Sequence, residues 1–235
     1  WYEEMKGHPL YLFDDVATLN RVVEDFRNRE FARLIEQALD RWRAFAQSLE
    51  AFDGVIILDS VFLGYLTWTL FAFDAPTELL DDYIDRVSEV IRPCNPVLIY
   101  LRNADVQATL RNVCSMRGEA WAKATIAQDT GSPYGLRLGL TEFDGQVTYW
   151  SDYRAISDRL VRDSTIPTLV VDTTDQDWPR YEEAIAGFLG LSSTTSAAPS
   201  DDLADYVGTY AYSDGDARKT CEVRLDGGDL YAYAA

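Results

Sequence analysis

Residues 52–60 read FDGVIILDS, and within them Val55, Ile56, Ile57 and Leu58 form an unbroken apolar run. Bounded by Asp-Gly before it and a polar residue after it, the run is too short for a solitary buried helix. It predicts a strand buried on both faces of a parallel sheet. PVLIYL at 96–101 and TLVV at 168–171 repeat the pattern and predict a second and a third strand. Elsewhere apolar residues recur in steps of three and four. Over 28–49, Phe31, Leu34, Ile35, Ala38, Leu39, Trp42, Phe45, Ala46 and Leu49 share one face of an amphipathic helix. A second helix opens at Pro76-Thr77-Glu78, buries Leu80, Ile84 and Val87, and is stopped by Pro93 and Pro96. Others are expected over 104–116, with Leu110 and Val113 inward, over 149–164, with Tyr153, Ile156, Leu160 and Val161 inward, and over 178–189. Strands alternating with helices predict the α/β class, a parallel sheet with flanking helices.

Other stretches carry weaker patterns. Residues 1–15 are polar and aromatic with a turn at Gly7-His8-Pro9, and 61–73 is aromatic-rich without a deciding period. Gly131, Pro133, Gly135 and Gly139 mark 118–146 as the longest candidate for a mobile or ligand-covering segment. The expected organisation is an α/β domain over 1–190, a small polar linker over 191–200 and a β segment over 201–235. In that last part YVGTYAY, KTCEVRLDGG and DLYAYA alternate apolar and polar residues around turns, which predicts antiparallel β. So short a stretch cannot close a sandwich or barrel and reads as part of a larger β module.

Charge and cysteine usage narrow the partners. The 235 residues carry a formal net charge of −18, which argues against nucleic acid as the main partner and leaves room for one local basic pocket. The richest apolar stretch, 61–75, is interrupted by Gly64, Thr67, Thr69 and Asp74, so no membrane span is expected. Cys94, Cys114 and Cys221 are scattered and His8 is the single histidine, which disfavours zinc and suits a reducing, cytoplasmic compartment. WYEEMKGHP is not a signal peptide, and without an initiating Met the chain is expected to be a piece of a longer protein. The sequence leaves a homo-oligomer open.

Asp59, at the end of the first expected strand, is placed to meet a ligand or its metal, because open α/β sheets bind ligands beyond the carboxyl ends of their strands. A cap on the following segment is its plain alternative. Trp68, Phe71, Phe73, Trp121, Tyr149, Trp150 and Tyr153 could stack on a planar ligand or fill a core, the ordinary role of aromatics. The paired acids, Asp14-Asp15, Asp81-Asp82 and Asp201-Asp202, suit helix starts and solvated loops. There is no Gly-x-Ser-x-Gly elbow, so a hydrolase triad has little support.

The helix with Trp42 and Phe45, the strand VIILDS, NPVLIYL, RNVCSMRGEAW over 111–121 and the Tyr153 helix together resemble the thymidylate-kinase-like branch of the P-loop kinases. The nearest likeness is to a group of bacterial P-loop proteins related to nucleotide kinases, and it spans residues 41–189. The resemblance implies a P-loop NTPase-like fold, ATP and Mg2+ as cofactors, and phosphoryl transfer to a small-molecule acceptor. By position it places Asp59 at the metal and acceptor, and Arg111 and Arg117 at the transferred phosphoryl group. Guanidinium forks suit phosphate oxygens; solvated helix arginines paired with Glu119 or Asp105 are the alternative. His8, in a His-Pro pair the group also carries, would line the acceptor pocket or act as a base, or stand in a surface turn. Tyr153 is the second residue assigned to the substrate. Two departures stand out. Ser60 occupies a place often held by Arg, and GxxxxGK[ST] occurs nowhere in the chain. In the family that loop would precede residue 1, so either an upstream segment supplies it or the protein has lost its phosphate cradle. In the second case the fold would serve as a non-catalytic binding or assembly module.

Overall fold

The computed structural model describes residues 9–191, 203–214, 217–226 and 229–234. They form a mixed α/β structure, mostly helical, with one two-stranded parallel sheet and one three-stranded antiparallel sheet. The chain divides into two compact units, 1–181 and 182–235.

In the first unit helices α1 (Val16–Arg27), α2 (Phe31–Ser48), α3 (Tyr65–Ala72) and α4 (Thr77–Ile91) build most of the core. Helix α1 is an addition to the expected elements. Asp15 caps it by accepting from the Thr18 N–H at 2.6 Å, and Val22 and Phe26 face inward. Helix α2 buries the stripe its spacing foretold, from Phe31 through Leu34, Ile35, Ala38 and Leu39 to Trp42. It packs against α4, where Leu80, Ile84 and Val87 lie inside. Within that contact the Trp42 Nε1–H donates to the Tyr83 hydroxyl oxygen at 2.9 Å. Helix α3 answers the undecided stretch 61–73: it is apolar all round and buried, the usual state of such a helix.

Strand β1 (Leu98–Arg102) and strand β2 (Thr168–Asp172) pair in parallel, Leu98 with Thr168 through Arg102 with Asp172. The crossover between them is helical: α5 (Val106–Arg117), α6 (Glu119–Thr130), α7 (Pro133–Leu138) and α8 (Glu142–Asp163). The segment 118–146, expected to be mobile or to cover a ligand, is therefore mainly helix. Pro133 follows the cap Ser132, and Gly139 ends α7 with φ 65°. At Gly135 a Cβ would lie 2.5 Å from the Thr130 carbonyl oxygen, so close passage of α7 under α6 requires glycine.

The expected strand at 55–58 is not formed. The segment is irregular, and Val55 and Ile57 are 86% and 89% exposed. A strand is defined by ladder partners, and among the described residues none pairs with this run. The two strands that do pair are not buried on both faces either, since Leu101 and Val170 are about half exposed. Two parallel strands stand where three were expected.

The aromatic residues proposed to stack on a ligand mostly pack on one another. Trp68 and Trp150 lie parallel with ring centroids 6.2 Å apart, and Phe71 contacts the rings of Tyr149 and Tyr153 at 5.0 Å each. Phe71, Tyr149 and Tyr153 fill the core.

Helix α9 (Trp178–Phe188) leads from the first unit into the second. The second unit contains a 3-10 turn at Leu203–Tyr206 and strands β3 (Gly208–Asp214), β4 (Ala217–Asp226) and β5 (Asp229–Ala234). They form an antiparallel meander in the order β3-β4-β5, as the alternating pattern indicated. The linker expected at 191–200 lies, except for Leu191, outside the described residues.

Candidate functional site

Parallel strands end on the same edge, so the loops after β1 and β2 meet. Thr173 N–H donates to the Arg102 carbonyl oxygen at 2.8 Å. Ala104 N–H donates to Thr174 Oγ1 at 2.9 Å, and Thr174 N–H donates to Asp172 Oδ1 at 3.0 Å. The Thr174 hydroxyl, then its N–H, hold the Asp172 carboxyl below the usual aspartate range. Asp105 caps α5 by accepting from Ala108 N–H at 2.8 Å. This edge is where open α/β sheets receive ligands.

Helix α8 crosses over the edge, and its turns present Val147, Ser151, Arg154 and Asp158 at helical spacing. Arg154 Nη1 donates to the Ala104 carbonyl oxygen at 2.6 Å. The Tyr100 hydroxyl donates to Asp158 Oδ1 at 3.0 Å. Burial, then the Asp158 carboxylate, push the Tyr100 hydroxyl above the usual tyrosine range, so it stays a donor. Arg102 Nε lies 3.9 Å from Asp158 Oδ1, an ion pair outside hydrogen-bond distance.

Two adjoining hollows lie along this edge. One, of about 290 Å³, is bordered by Tyr100, Arg102, Val106, Leu110, Trp150 and Arg154. The other, of about 400 Å³, is bordered by Asp105, Gln107, Val147, Ser151 and again Arg154. The Nε atoms of Arg102 and Arg154 are buried with no hydrogen-bond partner. The two arginines share this edge with three carboxylates, Asp105, Asp158 and Asp172.

A second buried polar cluster ties α6 to α8. Asp129, 3% exposed, accepts at Oδ2 from Gln146 Nε2–H and from Trp150 Nε1–H, both at 2.8 Å. Burial raises its carboxyl above the usual range, and the two donors only partly counter this.

The residues singled out by sequence are not gathered at the strand ends. Asp59 is exposed; its one hydrogen bond is from the Ser60 hydroxyl at 2.9 Å, with Ser60 in the left-handed region at φ 57°. Arg111 and Arg117 are exposed on and at the end of α5. Their guanidinium groups lie 5.8 Å from the Phe143 ring centroid and 5.6 Å from that of Trp121. The expected alternative partners are engaged elsewhere, Glu119 with Lys123 at 2.6 Å and Asp105 in its cap. Aromatic faces rather than carboxylates hold both arginines. Tyr153 is buried, and its hydroxyl donates to the Leu63 carbonyl oxygen. It touches the 290 Å³ hollow from the core side. His8 lies outside the described residues.

Arg102, Arg154 and Tyr100 were not singled out from sequence. The signal was there: Arg102 and Tyr100 end a strand that was expected, and Arg154 follows an inward tyrosine on a helix that was expected. Among the described residues no group of three or more His, Cys, Asp or Glu side chains could hold a metal ion. No helix of the described residues is long and apolar enough to cross a membrane. Neither a family model, nor a curated protein, nor a solved structure matches the chain.

Proposed function

We propose that this chain is the acceptor-side and lid part of a P-loop kinase-like phosphotransferase, acting in a cytoplasmic setting on a small-molecule hydroxyl or phosphate. The observation that supports the reading is the parallel pairing of LIYLR with TLVVD. A long helical crossover joins them, and charged and polar residues cluster where both strands end. That edge is where such a sheet handles phosphate-bearing ligands.

The residues present do not by themselves fit ATP. No glycine-lysine loop occurs in the 235 residues, and among the described residues Asp59 belongs to no group of three or more His, Cys, Asp or Glu side chains that could hold a metal ion. ATP and Mg2+ therefore belong to a form of the protein in which further polypeptide completes the sheet. The apolar run 55–58 is the segment such a strand would cover, and covering it would put Asp59 at a strand end. Mg2+ bound through one or two carboxylates and substrate phosphates is the usual arrangement for that ion. Arg111 and Arg117, on the helix after β1, are assigned to the transferred phosphoryl group. With ATP bound in such a form, they would be the residues to hold that group, since guanidinium forks suit phosphate oxygens.

The test is turnover. ATP hydrolysis and transfer with magnesium are measured for residues 1–235 and for a form extended upstream. Activity in the extended form alone supports the reading, and equal rates in both remove it. The exposed run 55–58 and the half-exposed Leu101 and Val170 favour a second reading, a non-catalytic kinase-like module that binds a partner. Calorimetric titration of the extended form with Mg-ATP separates them: heat at micromolar ligand favours transfer, silence favours the module.

A further inference from the structure

We propose that α5 and α6 form an arm fastened to α8 at Asp129, and that loss of the Asp129 proton loosens it. The inference stands apart from the phosphotransfer reading. Three observations carry it. The arm is thinly packed: no residue of α5 is buried, and Asp129 is the one buried residue of α6. Beneath α5 lies the hollow of about 290 Å³ bordered by Val106, Leu110 and Trp150, so its apolar face is incompletely seated. The fastening is a single carboxyl group. Asp129 Oδ2 accepts from Gln146 Nε2–H and Trp150 Nε1–H of α8, each at 2.8 Å. Arg111, over the Phe143 ring of the same helix, is exposed. The seat is also incompletely satisfied, since Gln146 Oε1 is buried without a hydrogen-bond partner. Opening gives that oxygen to water, and local openings are drawn from such thinly packed regions.

A carboxylate formed in this seat faces no cation among the described residues. Helix α8 offers it Gln146, Tyr149 and Trp150, and Trp68 of α3, stacked on Trp150, is neutral. On α7, Tyr134 donates to Asp152 and Arg137 pairs with Asp74, while Lys123 of α6 pairs with Glu119. Burial accordingly raises the Asp129 carboxyl above the usual range, and Gln146 and Trp150 only partly counter it. Asp129 in turn adds to the upward push that burial gives the Tyr149 hydroxyl. The proton is held more firmly in the fastened arm than in the released one, where water solvates the charge. Fastening is therefore complete while Asp129 is protonated. It weakens as pH rises from the ordinary aspartate range through the raised value.

The test is amide hydrogen exchange of residues 1–235, read by mass spectrometry between about pH 4 and about pH 8 and corrected for the intrinsic pH dependence of exchange. In the parent, protection of amides over 106–130 is expected to fall at least about threefold across that range, relative to amides of α2 and α4. In Asp129→Asn the fall should vanish. Gln146→Met keeps the carboxyl and removes one of its donors, so it should enlarge the fall, and it decides alone if Asp129→Asn does not fold. The proposal is overturned by no fall in the parent, by a fall shared equally with α2 and α4, by an equal fall in Asp129→Asn, or by an unchanged or smaller one in Gln146→Met.

Discussion

Arg154 on α8 donates from Nη1 to the carbonyl oxygen of Ala104 across 2.6 Å, tying the longest helix to the loop that follows β1. The bond is charge-assisted, and the same Nη1 also reaches the Asn103 carbonyl oxygen at 3.4 Å. Arg154→Met keeps most of the apolar stem and loses the bond. It is expected to lower unfolding stability by about 1–2 kcal/mol, read by urea denaturation with an unchanged slope.

The exposed run offers a direct test of its structure. Val55→Lys and Ile57→Lys together should leave stability of residues 1–235 within about 0.5 kcal/mol of the parent, as for other surface changes. A buried strand would lose several kcal/mol on accepting two charges. The same pair should reduce self-association in gel filtration, because it breaks an exposed apolar patch.

In the α2–α4 contact, Tyr83→Phe removes the one acceptor that Trp42 Nε1 has among the described residues. Both side chains are buried, so the indole N–H is left unsatisfied. The expected cost is about 1–3 kcal/mol, measured by urea denaturation, and a cost below about 0.5 kcal/mol would contradict the contact.

Asp129 gives a pH signature. Its carboxyl is raised above the usual range in the folded state by burial. Such a group contributes stability that is complete below the unfolded pKa and is lost as pH rises through the folded one. Asp129→Asn removes that titration while keeping an oxygen for Gln146 and Trp150. From the ordinary aspartate range upward, the parent should lose stability relative to Asp129→Asn until the raised value is passed, then run parallel to it. Taking the difference between the two proteins matters, because Asp15 and Asp172 are shifted downward and push the parent curve the other way.

Arg111→Gln and Arg117→Gln should leave stability within about 0.5 kcal/mol, since both side chains are exposed. In an extended, active form each is expected to lower transfer by about a thousandfold, the scale of an arginine acting on a transferring phosphoryl group. Unchanged turnover in both would leave them as arginines stacked on Phe143 and Trp121.

Amphipathic helices were the most legible part of the chain. The α2 stripe from Phe31 to Trp42 is buried as its period requires, because a helix satisfies its own backbone and needs only a face to pack. Helix α1 carries the same signal in Leu19, Val22, Val23 and Phe26, with Asp15 as its cap. The glycine-rich stretch is mainly helical, with Gly139 ending α7 and Gly135 inside it. Asp59, Arg111 and Arg117 border neither hollow at the strand ends, while Arg102 and Arg154 converge from residues 52 positions apart in sequence, which spacing cannot show.

The sequence by itself determined helices α2, α4, α5, α8 and α9, the two strands 98–102 and 168–172, the antiparallel character of the last part and the acidic net charge. Each depends on local periodicity or on summed charge. Only the tertiary structure decided that 55–58 is unpaired, and that Arg102, Tyr100 and Arg154 share one hollow. A strand exists through hydrogen bonds to another strand, and a pocket exists through side chains brought together from distant positions. Neither is a property of any short window, so an apolar run like VIIL reads the same whether or not it finds a neighbour.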